Sequence, residues 1–172
     1  MSAVAIIVAV IALQRLAELA LARRNTLRLL VHGAVERGRG HYPLFVALHT
    51  FWLGAVLFLV PADVPVHWTF LIVLVLLQAG RIWIIASLGE RWTTRVIVLP
   101  GAPLVRTGPY RWLRHPNYFI VELEIAALPL AFGAWRIALF FSIANLALLS
   151  WRIHVENAAL TERSEEHTSE LQ

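Results

Sequence analysis

The residues that could do chemistry are concentrated at 106–118, RTGPYRWLRHPNY, between two strongly apolar runs. Arg114 and His115 can donate hydrogen bonds to an anionic group, and the Gly-Pro and His-Pro pairs interrupt regular structure. Interrupted backbone at membrane depth exposes polar groups that protein, water or a ligand must satisfy. The segment is therefore predicted to line a polar cavity. The alternative is an interfacial loop whose arginines meet lipid phosphates.

A second group of charged residues lies inside or beside the apolar runs. Arg152 and Glu156 are four apart, which places them on one helix face as a binding pair or a simple ion pair. Glu122 is a candidate base on the predicted cavity face, whereas Glu124 is turned away and expected to meet a neighbouring helix. Arg81 either holds a ligand's head group or snorkels to the interface, and snorkelling is favoured.

The composition indicates an integral membrane protein, since 59% of residues are hydrophobic and only 15% are charged. Apolar runs at 3–22, 44–60, 66–88, 118–132 and 137–151 predict an all-α bundle of about five transmembrane helices, the last two forming a tight hairpin. Arg15 and Glu18 are interpreted as a pair at the end of the first helix. No metal site is expected, because cysteine is absent and the histidines lack neighbouring ligands.

Arginine placement predicts the orientation. Arginines follow the first, third and fifth runs, whereas the turn after the second run has none and the turn after the fourth has only Arg136. The positive-inside rule then places the amino terminus outside and residues 106–118 with Arg152 in the cytoplasm. All fifteen basic residues are arginine, a codon bias that indicates a bacterial genome and therefore a bacterial inner membrane. The formal charge of +4 is explained by this topology rather than by nucleic acid binding.

The last ten residues, RSEEHTSELQ, differ sharply from what precedes them. They resemble the translation of a sequencing adapter. We expect a single membrane domain at 1–162 and a non-native tail at 163–172.

The blocks LGERW at 88–92, GPYRWLRHPNY at 108–118 and RIHVEN at 152–157 resemble the isoprenylcysteine carboxyl methyltransferase family. These membrane enzymes methylate lipid-bearing acceptors with S-adenosylmethionine, and the related phospholipid N-methyltransferases share the pattern. The amino-terminal half, with RLAEL, ARRN and GHYP, resembles a bacterial branch in which some members methylate phenolic lipids or alkylpyrones.

The resemblance implies a role for particular residues. It implies that the following contact the cofactor: Leu104, Val105, Tyr110, His115, Pro116, Asn117, Tyr118 and Glu156. It implies that Arg152 meets the acceptor, which Arg81 could also hold. Chemistry adds that Glu156 can accept from the cofactor's ammonium or ribose hydroxyls, and that Arg114 and His115 can donate to its carboxylate. If the acceptor is a phenol or enol, Glu122 is the expected base.

Three positions depart from the family pattern, namely Ala102, Ile120 and Asn157, and they leave the acceptor open. The family implies a carboxyl group on a prenylated or otherwise lipidated acceptor, and the bacterial branch implies a phenolic or pyrone lipid. Two other classes stay open: an NADPH-dependent membrane reductase and a non-catalytic membrane scaffold.

Overall fold

The computed structural model describes residues 2–37, 42–103 and 105–169, and for residue 37 and residues 155–169 it describes the backbone alone. Five helices follow one another in this part of the chain: α1 (Ala3–Val31), α2 (Tyr42–Leu59), α3 (Trp68–Leu88), α4 (Pro116–Leu130) and α5 (Trp135–Ser169). Four of them, all but α4, contain an apolar stretch long enough to cross a membrane. The predicted helical membrane bundle is confirmed.

The helix ends lie where the sequence supplies capping or breaking residues. The Ser2 side chain accepts a hydrogen bond from the Ala5 N–H at the start of α1. Gly89, with φ of 53°, follows α3, and Pro116 opens α4 in the first turn, where a missing N–H costs nothing. Gly133, with φ of 70°, makes the tight α4–α5 turn that the sequence predicted.

The main core is formed by residues of all five helices, and none of its described residues belongs to the segment at 106–118. Trp52 of α2 is fully buried there and donates its indole N–H to the Ile125 carbonyl of α4 at 3.1 Å. Large apolar side chains on the outer faces remain exposed, for example Leu13, Phe58 and Leu76. Such a surface is expected where helices meet acyl chains instead of water.

The structure extends beyond the prediction at one end of the bundle. Helix α1 continues nine residues past the expected end at residue 22, and its Asn25 amide donates to the carbonyls of Gly89 and Trp92. Two short strands that were not predicted, β1 (Val35–Arg37) and β2 (Val96–Val98), pair antiparallel with Val35 opposite Val98. Together they tie the α1–α2 connection to the segment that follows α3.

Helix α4 is shorter than its neighbours, and the difference lies at one end only. Its far end is level with the start of α3, because the His67 N–H donates to the Ala131 carbonyl at 2.8 Å. At the other end Arg81, seven residues before α3 ends, donates to Asn117 in the first turn of α4 at 3.0 Å. Helix α4 therefore begins about 10 Å deeper than α3 ends, at a rise of 1.5 Å per residue. The shortfall leaves a recess at this end.

Candidate functional site

The segment at 106–118 enters this recess and is fixed against α3. Gly108 has φ of 56°, and a Cβ built on it would lie 2.1 Å from Ser87 Oγ. Only glycine fits so close an approach at positive φ, which explains the glycine of the GPY sequence. The Arg91 guanidinium donates to the Pro103 carbonyl at 2.5 Å and holds the chain just before this segment.

Next to Asn117 and Tyr118, at the end of this segment, a cavity of about 450 Å³ opens between α1 and α2 and reaches α4 and α5. Its deep part is apolar, with Val8 of α1 and Leu57 of α2 on opposite walls. Its polar lining residues are Arg15, Glu18, Tyr42, His49, Thr50, Arg81, Trp92, Thr93, Thr94, Asn117, Tyr118 and Arg152. A mostly apolar cavity of this size with a few polar groups is the usual form of a small-molecule site.

Arg152 of α5 is fixed at the polar end of the cavity. Its Nε donates to the Tyr118 hydroxyl at 2.7 Å, and its Nη1 donates to the Thr94 carbonyl at 2.9 Å. The guanidinium carbon also lies 5.5 Å from the Phe45 ring centre and 5.4 Å from that of Tyr118. The described residues engage two of the five guanidinium N–H donors, so this group is oriented before it meets a ligand.

A buried network of charges borders the cavity on its α3 side. Arg81 is 1% exposed and pairs with Glu18 of α1 at 3.3 Å and with Glu124 of α4 at 3.0 Å. Arg15 pairs with both Glu18, at 3.1 Å, and Glu124. The two arginines and two glutamates balance in charge, which a low-dielectric interior requires.

Amide side chains complete this network. Gln78 of α3 donates to Glu124 at 2.8 Å and accepts from Gln14 of α1 at 2.5 Å. Gln14 also donates to Glu18 at 3.0 Å. Side chains from α1, α3 and α4 thus satisfy one another inside the bundle, and Arg81 carries the network to Asn117 at the cavity wall.

Of the two α4 carboxylates, Glu124 is placed as predicted and Glu122 is not. Glu124 meets the neighbouring helices α1 and α3 through Arg15, Arg81 and Gln78, whereas Glu122 accepts a hydrogen bond from Asn145 of α5 at 2.8 Å and does not line the cavity. The reason is helical register. The α4 residues that line the cavity are Asn117, Tyr118 and Val121, and Glu122 is turned about 100° past Val121, toward α5.

Two arginine predictions also need correction. Arg81 does not snorkel, because partners on α1 and α4 hold its head inside the bundle. Arg15 and Glu18 do form the predicted pair. That pair lies in the middle of α1 and not at its end, because the helix continues to Val31.

The cavity brings together four of the predicted site residues: Arg81, Asn117, Tyr118 and Arg152. The other predicted residues are placed next to it or elsewhere. The His115 ring stacks on Tyr118 with centroids 5.2 Å apart, Pro116 is buried, and Tyr110 packs against the small core cluster that contains Trp92 and Ile84. Val105 is half-buried and Arg114 is exposed. Leu104 and the Glu156 side chain lie outside the described residues.

Sequence reasoning missed several residues of the α2 wall. Tyr42, Phe45 and His49 all line the cavity, at the spacing of one helix face. That spacing, with a histidine inside an apolar run, was the available signal. Trp92 was missed as a lining residue, and its indole N–H is a buried donor for which the described part of the chain offers no acceptor.

The fold and the site together are those of a helical membrane protein with an internal apolar cavity. The cavity ends at Arg152, next to the Arg-His-Pro turn. Residues 70–162 match the model of the isoprenylcysteine carboxyl methyltransferase (ICMT) family. The chain belongs to this family, and it is therefore placed among membrane methyltransferases.

Two relatives match over most of their length. The chain is 41% identical over 163 residues to the uncharacterized protein YpbQ of Bacillus subtilis (strain 168), covering 92% of this chain and 97% of that protein. It is 27% identical over 152 residues to an uncharacterized protein of Haemophilus influenzae, covering 86% of this chain and 88% of that protein. No solved structure shows significant similarity to the chain.

Proposed function

We propose that this protein transfers a methyl group from S-adenosylmethionine to an oxygen atom on the head group of a lipid-borne acceptor. The observation that carries the proposal is Arg152, held by Tyr118 and Thr94 at the polar end of an apolar cavity. A fixed guanidinium suits the oxygens of an acidic head group, and the apolar walls between α1 and α2 suit its hydrocarbon chain.

The residues at the polar end fit the methyl donor in chemical type. Asn117 and Tyr118 offer amide and hydroxyl groups, and the Trp92 indole N–H is a buried donor unpaired within the described residues. By family resemblance, Leu104, Val105, Tyr110, His115, Pro116 and Glu156 complete the cofactor contacts, and Arg114 can donate to the cofactor's carboxylate. The bound cofactor would supply an electrophilic methyl group on a sulfonium cation.

The chain's own residues act mainly by positioning. Arg152 would hold the acceptor oxygen, and the apolar walls would exclude water from it. If the acceptor is already a carboxylate, as in the family's prenylated acceptors, positioning carries most of the rate. A phenolic or pyrone lipid additionally requires removal of a proton.

The test is a binding titration of the detergent-purified protein with S-adenosylmethionine, S-adenosylhomocysteine and NADPH. We expect saturable binding of the first two, weakened about 10- to 100-fold by Glu156→Ala, as is typical when a hydrogen bond to a charged group is lost. Glu90→Ala is the matched control, because Glu90 is exposed and pairs with Arg28 at 3.0 Å outside the cavity. Binding of NADPH alone would favour a reductase, and binding of no nucleotide a scaffold.

The acceptor class is then assigned with radiolabelled methyl donor and two probes, a farnesylated cysteine derivative with a free carboxylate and a long-chain alkylphenol. Methyl transfer to either probe supports the proposal. A purified protein that binds the methyl donor and methylates no lipid oxygen would overturn it. A phospholipid with a free amine as third probe reports the N-methyltransferase alternative.

A further inference from the structure

His49 of α2 is a titratable group on the cavity wall that the proposed function has not used. Its Nδ1 lies 2.8 Å from the Phe45 carbonyl oxygen, one turn earlier in the helix. A carbonyl oxygen can only accept a hydrogen bond, so Nδ1 carries the hydrogen. In the neutral ring the lone pair is then on Nε2, the nitrogen that can accept a proton.

The imidazole is close to the group that would hold the acceptor. The Phe45 ring centre lies 5.5 Å from the Arg152 guanidinium carbon and 6.5 Å from the centre of the His49 ring. A head group lying beside Phe45 would therefore be near both the guanidinium and the imidazole. Glu122, the base expected from the sequence, is turned toward Asn145 and does not line the cavity.

The surroundings of His49 leave Nε2 available. Within the described residues Nε2 has no hydrogen-bond partner, and the ring meets Trp52 edge to face at 6.2 Å. The charged groups that face it are Arg15 of α1 and Glu124 of α4, which pair with each other and offset one another's charge. Glu18, Arg81 and Arg152 are the other charged residues of this cavity.

We propose that His49 is the general base that removes the proton from a hydroxyl acceptor. The inference rests on the proposed function, because it needs an acceptor oxygen beside Arg152. His49 Nε2 takes the hydroxyl proton while the oxygen's electron pair forms the new O–C bond and the C–S bond of the methyl donor breaks toward sulfur. The imidazolium then gives its proton to water. A carboxylate acceptor would not need His49.

The first test measures binding without a methyl donor, using a long-chain alkylphenol and the corresponding methyl ether. His49→Asn keeps an N–H for the Phe45 carbonyl and lacks the Nε2 acceptor. It should weaken alkylphenol binding about 2- to 10-fold, the usual effect of one neutral hydrogen bond, and leave ether binding unchanged. His32→Asn is the matched control, since His32 makes the same bond to the Arg28 carbonyl, 2.7 Å away, but is exposed. An equal loss for phenol and ether would overturn the proposal.

The second test is turnover against pH with the alkylphenol and the farnesylated carboxylate. His49→Asn and His49→Gln should each lower alkylphenol turnover about 100- to 10,000-fold near neutral pH, the usual contribution of a general base, and retain carboxylate turnover. The variants' rates should recover as rising pH ionises the phenol itself. His49→Gln can still accept a hydrogen bond, so it should keep phenol binding while losing turnover.

The outcomes separate this inference from the proposed function. Unchanged S-adenosylhomocysteine affinity in every variant verifies that the protein has folded. A wild-type protein that methylates only the carboxylate, or variants with wild-type alkylphenol turnover, would overturn the role of His49 and leave the proposed function standing. A wild-type protein that methylates neither probe would overturn both.

Discussion

Arg152 is the residue whose chemistry is most restricted by its surroundings. Its two hydrogen bonds, to Tyr118 and Thr94, and its two ring contacts leave the guanidinium plane little freedom to rotate. Orientation of this kind reduces the entropy lost when an acceptor binds. A lysine ammonium is a point charge and cannot reproduce a planar fork.

We predict that Arg152→Lys lowers kcat/KM for the lipid acceptor about 10- to 100-fold, the cost of losing hydrogen bonds to a charged group. The affinity for S-adenosylhomocysteine should change less. Arg136→Lys is the control, because Arg136 is on the same helix and also lies over an aromatic ring, Trp135, at 5.4 Å. Steady-state kinetics on both variants provides the measurement, and an equal loss in both would contradict the role given to Arg152.

Residues 106–118 and Arg152 could be selected from the sequence because polar and helix-breaking residues are conspicuous beside apolar runs. The direction in which a single side chain points from its helix could not be predicted from the sequence. Glu122 and Glu124 are two positions apart on one helix, and which of them turns inward depends on the partners that α1 and α3 present. His49 was missed for a related reason, since its role depends on Arg152, more than a hundred residues later in the chain.

At the scale of elements, the short α4 and the buried charge network belong together. Helix α4 is joined to α1 and α3 near its middle by Glu124 and near its start by Asn117. Arg81 is common to both junctions on the α3 side. Removing it would leave two buried carboxylates with Arg15 as their one cationic partner among the described residues.

We predict that Arg81→Met lowers the free energy of unfolding by about 3–5 kcal/mol, as when one partner of a buried ion pair is removed. Arg28→Met is the matched control, because Arg28 and Glu90 are exposed and such pairs contribute about 0–1 kcal/mol. Unfolding in mixed detergent micelles measures both. A loss below about 1 kcal/mol for Arg81→Met would show that the network does not hold α1, α3 and α4 together.

The five helices were predictable because apolar runs near 20 residues have few alternatives in lipid. The two-stranded sheet was not, since three-residue strands carry no usable periodicity and their pairing joins residues about sixty positions apart. The same limit applies to α1, whose extension to Val31 begins with the polar residues RRNT and is stabilised by contacts of Asn25 with the segment after α3.

At the scale of the whole molecule, the helix ends fall on two levels. The α2–α3 and α4–α5 turns share one level, linked by the bond from His67 to the Ala131 carbonyl. The paired strands, the segment after α3 and Arg152 share the other. We propose that the second level is cytoplasmic, since most arginines lie there and the methyl donor would enter from that side.

Single cysteines can test this orientation without background, because the chain has no native cysteine. Asp63→Cys, in the exposed α2–α3 turn, should react with a membrane-impermeant maleimide in intact cells. Thr107→Cys, exposed in the segment that follows β2, should react only after the membrane is permeabilised. Denatured samples provide the control for total labelling. The reverse pattern would place the Arg152 end of the cavity outside the cell. The cytoplasmic methyl donor could not reach it there, so this result would contradict the proposed function.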